Sequence, residues 1–367
     1  MQPLDIRAWD ELEWRESASQ WNTLLEAADL DPLFLSWEWM TTWWRHFGHA
    51  HARTLRLSAV YRGGALVGIA PLYAATASRR LVNVSSLQFI GTCWRDETVV
   101  VSEYLDVIAA PQDRDAVRAA VLSHLADHDA WSELIVGYSD APTAWTQALE
   151  RSPLARECHA RTIEPSTSYA ADLSSGFDAW LGWLGQSSRR SVWNLRRRLE
   201  ELGKVQVERV EPSGVQPAFA ELNRLHACRW GRPAFAGPRL QYHLEFAQRA
   251  AERGELALSL LRVDGAVISV LYDVRRGTRQ YNLKMAFDPA VERRFSLGLI
   301  HFGFALEAAA QAGVAQYDFL AGHGQHSDFK KHLGQLKREL ATVQVVRGPL
   351  LRRLYGWYDG IQHAMRG

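Results

Sequence analysis

The stretch Glu255 to Leu336 constrains the fold of this chain more than any other segment, because it orders strands, turns and a helix in one succession. Leucines alternate with polar or small residues up to Asp264-Gly265, a dipeptide that favours the positive φ angles of a tight hairpin. The β-branched run Ala266 to Arg275 follows, and a second turn at Arg276-Gly277 leads into Gln280 to Phe287. This pattern predicts a three-stranded antiparallel meander.

A helix start directly after the meander has the features of an anion site. Residues 288–298 read D-P-A-V-E-R-R-F-S-L-G and precede a long apolar helical run that ends at Gly313. The first N–H groups of a helix lack intrahelical partners and lie at the positive end of its dipole. Gly298 would let a phosphate approach the backbone, and the two arginines would add charge. The alternative is that Ser296 only N-caps a buried helix.

Several motifs resemble those of known acyltransferases. The motif R-x-x-S-x-G at residues 293–298 resembles the pyrophosphate-binding signature of GNAT acyltransferases, Gln/Arg-x-x-Gly-x-Gly/Ala, with serine at the first glycine. Y-D-F-L-A-G at 317–322 and F-K-K at 329–331 are similar to the ending of the CelD-like (BcsL) acyltransferases, which are linked to bacterial polysaccharide synthesis and related to the FemABX transferases. Segments 34–39 and 43–48 resemble the opening signature of that family.

The resemblance implies an α/β fold with tandem GNAT-like domains, each a mixed, mostly antiparallel sheet flanked by helices. An internal repeat agrees with it, because residues 54–70 and 255–271 share a strand-turn-strand plan. We expect an N-terminal GNAT-like domain without carrier binding at 1–160 and a C-terminal acyltransferase domain at 161–347. Residues 348–367 form an amphipathic helix, docked onto the fold or, alternatively, lying on a membrane surface.

Bulk properties restrict the location and the partners of the chain. A net charge of +1 means that any basic site is a local patch. Its three cysteines have neither a disulfide pattern nor metal-ligand spacing. The charged N-terminus is unlike a signal peptide, and no apolar run is long enough for a transmembrane segment. We expect a cytoplasmic protein.

A dense cluster of arginines marks the segment 187–199. Val192, Leu195 and Leu199 form an apolar stripe on the predicted helix, which places Arg189, Arg190, Arg196 and Arg197 on or beside its exposed face. A solvated face, a phosphate-binding face and a nucleic-acid surface all remain open. The segment resembles a basic helix that lies near the acceptor phosphates in FemABX proteins. The candidate substrate-binding residues are Arg189, Arg190, Asn194, Arg197, Trp230 and Gly322.

Acyl transfer from a thioester needs a bound carrier, a deprotonated acceptor and donors for the developing oxyanion. The resemblance implies that backbone N–H groups near Leu283 to Met285, on a splayed strand, contact the oxyanion. The candidate cofactor-binding residues are Leu283, Lys284, Met285, Arg293, Arg294, Phe295, Ser296, Leu297 and Gly298. No covalent nucleophile is required.

The general base has two candidates. Asp318 is the first, with a structural carboxylate that caps the Gly322 loop as the alternative. His226 is the second, with a core histidine as the alternative. Lys330 and Lys331 resemble the F-K-K lysines of FemABX enzymes and would stabilise an oxyanion or a phosphate, unless they are plain surface lysines. We expect no metal, because two neighbouring histidines in the segment 322–326 have no thiolate or carboxylate beside them.

Together these features predict a GNAT-type N- or O-acetyltransferase that uses acetyl-CoA or another acyl-CoA as co-substrate. The acceptor would be a hydroxyl or amine of a sugar or envelope (polysaccharide) precursor, either a small molecule or a glycan, with polysaccharide-synthesis machinery as a possible partner. Two alternatives stay open: a FemABX-like aminoacyl-tRNA-dependent transferase, and a non-catalytic binding module. Nucleic acid other than tRNA is not expected, because the chain lacks a general basic excess.

Overall fold

The computed structural model describes residues 2–49, 53–79, 82–128, 130–322, 329–349, 351–353 and 355–357. The chain forms two compact units, Met1–Ser166 with Glu339–Gly367, and Thr167–Arg338. None of the helices in these described ranges combines the length and the hydropathy that a bilayer span requires.

The described strands are β1 (Leu4–Trp9), β2 (Thr54–Arg62), β3 (Ala65–Arg79), β4 (Val82–Phe89), β5 (Ile108–Ala109), β6 (Glu133–Ser139), β7 (Cys158–Asp172), β8 (Val205–Arg209), β9 (Ser259–Val263), β10 (Ala266–Arg276), β11 (Arg279–Phe287), β12 (Gln316–Ala321) and β13 (Leu336–Arg347). The described α-helices are α1 (Glu11–Glu16), α2 (Ala18–Ala27), α3 (Trp37–Trp43), α4 (Arg114–His128), α5 (Pro142–Glu150), α6 (Phe177–Trp183), α7 (Gln186–Arg189), α8 (Leu195–Glu200), α9 (Val215–Trp230), α10 (Gly237–Glu252), α11 (Pro289–Phe295), α12 (Leu297–Gln311) and α13 (Lys330–Leu333). Two π-helical segments, Trp44–Gly48 and Arg190–Asn194, continue α3 and α7.

The first unit is built on a mostly antiparallel sheet around a tryptophan-rich core. Its strands neighbour one another in the order β1-β2-β3-β4-β6-β13, with β5 beside β3 and one parallel pair, β4 with β6. The indoles of Trp21, Trp39 and Trp43 are buried, and each donates to an internal oxygen at 2.8 to 2.9 Å. These bonds remove the cost of burying an indole N–H.

The second unit has strand order β7-β12-β11-β10-β9-β8, in which β11 and β12 run parallel. Strands β9, β10 and β11 are the predicted meander, and the turn between the first two uses positive φ angles at Asp264 and Gly265. Helix α12 packs on one face of the sheet, against Leu271. Helix α9 packs on the other face, where the Phe219 ring lies 4.9 Å from that of Tyr272. The predicted class, mixed and mostly antiparallel sheets flanked by helices, is confirmed.

Two local expectations were wrong. Residues 289–295, expected only to lead into the long apolar helix, form a short helix of their own, α11, which begins where Asp288 accepts the Ala290 N–H at 2.8 Å. Ser296 joins α11 to α12 in a left-handed conformation, with φ of 51°, and its side chain makes no capping bond. Arg196, expected on the exposed face, is buried.

Arg196 joins α8 to α12 by charge and by stacking. Its guanidinium donates to Glu307 at 2.6 Å and lies over the rings of Phe304 and Trp193, 4.0 and 4.3 Å from their centroids. The backbone approaches closely here as well, since a Cβ on Gly303 would lie 2.5 Å from the Val192 carbonyl oxygen. The arginine is therefore structural, and the apolar stripe alone could not show that.

Replacing Arg196 tests this role. We expect Arg196→Ala to lower the free energy of unfolding of the second unit by about 2 to 3 kcal/mol, because it leaves the Glu307 carboxylate unpaired and empties the space over two rings. The exposed neighbour Arg197 gives the control, and Arg197→Ala should change it by at most about 0.5 kcal/mol. Equal effects in urea denaturation would contradict the assignment.

Candidate functional site

The parallel strands β11 and β12 part in the middle of the second unit. They pair from Arg279 with Gln316 to Tyr281 with Asp318, while β11 continues to Phe287. Beyond Tyr281, β11 has no partner strand on this edge in the described part of the chain. The backbone of Leu283 to Met285 therefore borders an opening between the strands, where an N–H group can meet a ligand.

A β-bulge lies at the same place. Tyr272 pairs with Lys284 and Asp273 pairs with Asn282, so that Leu283 is the extra residue. Tyr272 and Lys284 share the α9 face of the sheet, since directly opposed residues point to the same side. The bulge thus turns Lys284 toward α9 at the edge of the opening.

The start of α12 differs from the expected anion site. The Gly298 N–H donates to the Glu292 carboxylate at 3.0 Å, and the Leu299 and Ile300 N–H groups donate to the Ser296 carbonyl at 3.0 and 3.2 Å. Burial raises the pKa of Glu292, while the Gly298 and Leu297 N–H groups lower it. Because these N–H groups have internal acceptors, the position predicted for a phosphate is taken by the carboxylate of Glu292.

The other residues of the helix start serve packing. Phe295 and Leu297 are buried in the core, so only their backbone could contact a ligand. A Cβ on Gly298 would lie 3.0 Å from the Phe287 ring and 3.1 Å from the Met285 side chain. The glycine therefore lets α12 approach β11 closely. The side chains of Arg293 and Arg294 lie outside the described part of the structure.

Basic groups gather around the half-buried Lys284. Burial lowers the pKa of Lys284, and the neighbouring charges of Arg239, Arg232 and Lys330 lower it further. The Lys330 ammonium donates to the carbonyls of Leu320 and Ala321 at 3.1 and 2.9 Å, at the end of β12. Lys284 thus lies on one of the two strands that part, and Lys330, at the start of α13, is bonded to the end of the other.

His226 belongs to this group and is not a core residue. Its Nδ1 lies 2.7 Å from the Arg232 carbonyl oxygen, which fixes the proton on Nδ1 and leaves Nε2 as an acceptor. Burial lowers the pKa of His226, the bond to Arg232 opposes that shift, and the charges of Lys284, Arg232 and Arg229 add to it. The imidazole is therefore neutral near pH 7, as a general base requires.

Asp318 holds a turn. The carboxyl group is buried and accepts the Leu320 N–H at 2.7 Å, where Leu320 has φ of 60°. This contact is the structural role that the sequence left as the alternative for Asp318. Gly322 is the last described residue of that stretch, and the histidines considered for a metal lie outside the described residues.

The residues predicted to bind the acceptor do not all lie near His226. Trp230 is 45% exposed at the end of α9, with its ring 6.4 Å from that of His226. Arg189 donates to the Leu181 and Gly182 carbonyls and so caps α6. Arg190, Asn194 and Arg197 are exposed, and no contact within the described ranges links them to His226. Lys331 is exposed as well.

Sequence reasoning missed a buried carboxylate beside the opening. Asp273 accepts from the Tyr317 hydroxyl at 2.5 Å, the Asn282 amide at 2.7 Å and the Gln280 amide at 3.0 Å. Burial raises the pKa of Asp273 to about 6. An aspartate inside the apolar run of β10 was the available signal. The bonds tie β10, β11 and β12 together where the last two begin to part.

The pKa of Asp273 predicts a pH-dependent stability. The folded state prefers the protonated Asp273. Its protonation therefore contributes at most about 3 kcal/mol to the free energy of unfolding. This contribution is fully present below about pH 4 and is lost as pH rises through about 6. We expect the difference in Tm between Asp273→Asn and the wild type to shift in favour of the variant as the pH rises from 4 to 7. The exposed Asp178→Asn gives the control, and parallel curves for wild type and Asp273→Asn would contradict the assignment.

The coupling of His226 to Lys284 is a second prediction. By NMR, His226 should titrate below its ordinary pKa of about 6.5 and carry its proton on Nδ1. Lys284→Met should raise the pKa of His226, because it removes a nearby cation. Lys204→Met, at an exposed lysine of the same unit, should leave that pKa unchanged. An unaltered pKa in Lys284→Met would show that the two residues do not share a site.

Comparisons with known proteins agree with this geometry. Residues 186–331 match the model of the acetyltransferase (GNAT) domain, and no curated protein sequence matches the chain. The fold is similar to that of FemX, with a TM-score of 0.64 at 14% identity over 95% of this chain and 99% of that one. The fold is also similar to that of a tandem GNAT protein from the clavulanic acid biosynthesis pathway, with a TM-score of 0.51 at 14% identity over 95% of this chain and 99% of that one. L-PGS from Bacillus licheniformis gives 0.52 at 11% identity, over 92% of both chains. Residues 186–331 are therefore similar to a GNAT acetyltransferase domain, and the fold of the chain is similar to that of a tandem GNAT protein.

Proposed function

We propose that the second unit is an acyltransferase that moves an acetyl or similar acyl group from acyl-CoA to a hydroxyl or amine. The observation that carries the proposal is the parting of β11 and β12 beside the bulge at Leu283. It opens the backbone of Leu283 to Met285 in a domain that matches the GNAT model. When bound, acyl-CoA supplies the acyl thioester.

The residues around the opening have the properties that such a transfer needs. Backbone N–H groups of Leu283 to Met285 donate to the oxygen that becomes negative in the transition state. His226, neutral and with Nε2 open, takes the proton of the acceptor. Lys284 and Lys330 place positive charge beside the developing anions. Asp318 is the less suitable base, because its carboxylate is buried and bonded to Leu320.

The acceptor proposal is a sugar or envelope precursor, handled with polysaccharide-synthesis machinery. It rests on the CelD-like motifs at the two ends of the chain. Trp230, exposed beside His226, gives a sugar ring a face on which to stack. Arg190 and Arg197 are the cations proposed for acceptor phosphates. In this proposal residues 1–160 form a GNAT-like domain without a carrier. Most of the segment 348–367, predicted from the sequence to be an amphipathic helix, lies outside the described residues.

A second candidate, transfer from aminoacyl-tRNA, is favoured by the Glu292 contact. A pyrophosphate at the start of α12 has to displace the Glu292 carboxylate from the Gly298 amide and overcome its charge. An acyl donor that places no pyrophosphate at the start of α12 does not compete with the Glu292 carboxylate. The fold likeness to FemX is compatible with this candidate.

Calorimetric titration with acetyl-CoA tests the first candidate. We expect Glu292→Gln to bind acetyl-CoA about tenfold more tightly than the wild type, because the variant removes a competing negative charge worth about 1.4 kcal/mol. Glu211→Gln, at an exposed glutamate of the same unit, should bind like the wild type.

The opposite results are equally informative. No binding by wild type or Glu292→Gln at millimolar acetyl-CoA contradicts dependence on acyl-CoA. A strong, salt-sensitive affinity for tRNA would then support the second candidate. Unchanged acetyl-CoA affinity in Glu292→Gln would show that the carrier does not contact the start of α12.

A further inference from the structure

Polar groups without a partner lie behind Lys284 on the α9 face of the sheet. Tyr272, directly opposite Lys284 on β10, is fully buried, and its hydroxyl has no hydrogen-bond partner in the described part of the chain. His243 of α10 is also buried, and its Nδ1 is without a partner there. Buried polar groups are nearly always bonded, so two unpartnered groups in one place mark a candidate binding site.

The three side chains are close to one another. The ring centroids of Tyr272 and His243 lie 5.6 Å apart, and Phe235 packs on His243 at 4.0 Å. Phe235 is held in place by a pair of bonds at 3.0 Å between its backbone and the Asn223 amide. Lys284 stands beside Tyr272 across the strands. Its ammonium makes no hydrogen bond or ion pair with the residues that the structure describes.

The chemistry of these groups selects the ligand. Burial raises the pKa of Tyr272 above its ordinary value, so the hydroxyl stays a donor. Burial also lowers the pKa of His243, so the imidazole is neutral and offers an N–H in one of its tautomers. Lys284 has donors only, and the charges that act on it, those of Arg239, Arg232 and Lys330, are all positive. A cluster of donors with excess positive charge suits an oxyanion.

We propose that Lys284, Tyr272 and His243 form a binding site for an anionic oxygen group, a carboxylate or a phosphate, on a substrate of this protein. The ammonium neutralises the anion, while the hydroxyl and the imidazole N–H fix its orientation. The identification of the ligand as a substrate rests on the proposed function. The site itself rests only on the orphaned groups and their charges.

The test uses the full chain and two simple anions, inorganic phosphate and acetate, at constant ionic strength. Isothermal titration should show saturable binding of one of them to the wild type. Lys284→Met should weaken that binding at least tenfold, because the cation is lost. Tyr272→Phe should weaken it about fivefold while it keeps the ring and the packing. Lys204→Met, at an exposed lysine, should bind like the wild type.

The outcomes separate the two sources of the anion and the two proposals. Binding of phosphate alone assigns a phosphate group, and binding of acetate alone assigns a carboxylate. Failure of both anions to bind, or equal binding to wild type and Lys284→Met, overturns the site. If acetyl-CoA binds but neither anion does, the transferase proposal stands without this site. If an anion binds through Lys284 but acetyl-CoA does not, the site stands and dependence on acyl-CoA fails.

Discussion

The buried carboxylate of Asp273 is the interaction on which the second unit depends. It accepts from Gln280 and Asn282 on β11 and from Tyr317 on β12, each one residue from the last pair of the two strands, Tyr281 with Asp318. A carboxylate without partners would be costly to bury, and three donors offset that cost. Beyond this clamp β11 leaves β12 and bulges at Leu283. The opening thus begins where the network ends, and the network fixes its position.

The two faces of the sheet then have different tasks. On one face α12 packs tightly on β11, which Gly298 permits, and Glu292 accepts the Gly298 N–H at the helix start. On the other face α9 and α10 place His226 and His243 beside Lys284 and Tyr272. The α12 face is a packing face, and the α9 face carries the side chains proposed for the reaction. A donor that reaches the start of α12 has to compete with a carboxylate of the protein itself.

The sequence predicted the meander, the turn at Asp264-Gly265 and the helix that ends at Gly313, because hydrophobic period and turn chemistry are local signals. It could not show that Arg196 turns inward, since an arginine at the edge of an apolar stripe can pair with a distant glutamate such as Glu307. It also missed the capping by Glu292. The role of that residue depends on the left-handed Ser296, which joins two helices where one turn was expected.

The candidate site was predictable in part. The motif around residues 317–331 directed attention to Lys330, and the strand before the helix directed it to Leu283 to Met285. Tyr272, His243 and Arg232 gave no such signal, because each becomes part of the site only through the register of β10 with β11 and the packing of α9 and α10. Long-range pairing of that kind cannot be predicted from any single segment of the sequence.

The most direct test is a crystal structure of the protein with a non-hydrolysable acyl-CoA analogue. We expect the acyl oxygen to lie about 3 Å from a backbone nitrogen of Leu283 to Met285, in the opening between β11 and β12. An analogue bound elsewhere, with those amides uncontacted, would contradict the claim that this opening is the site of transfer.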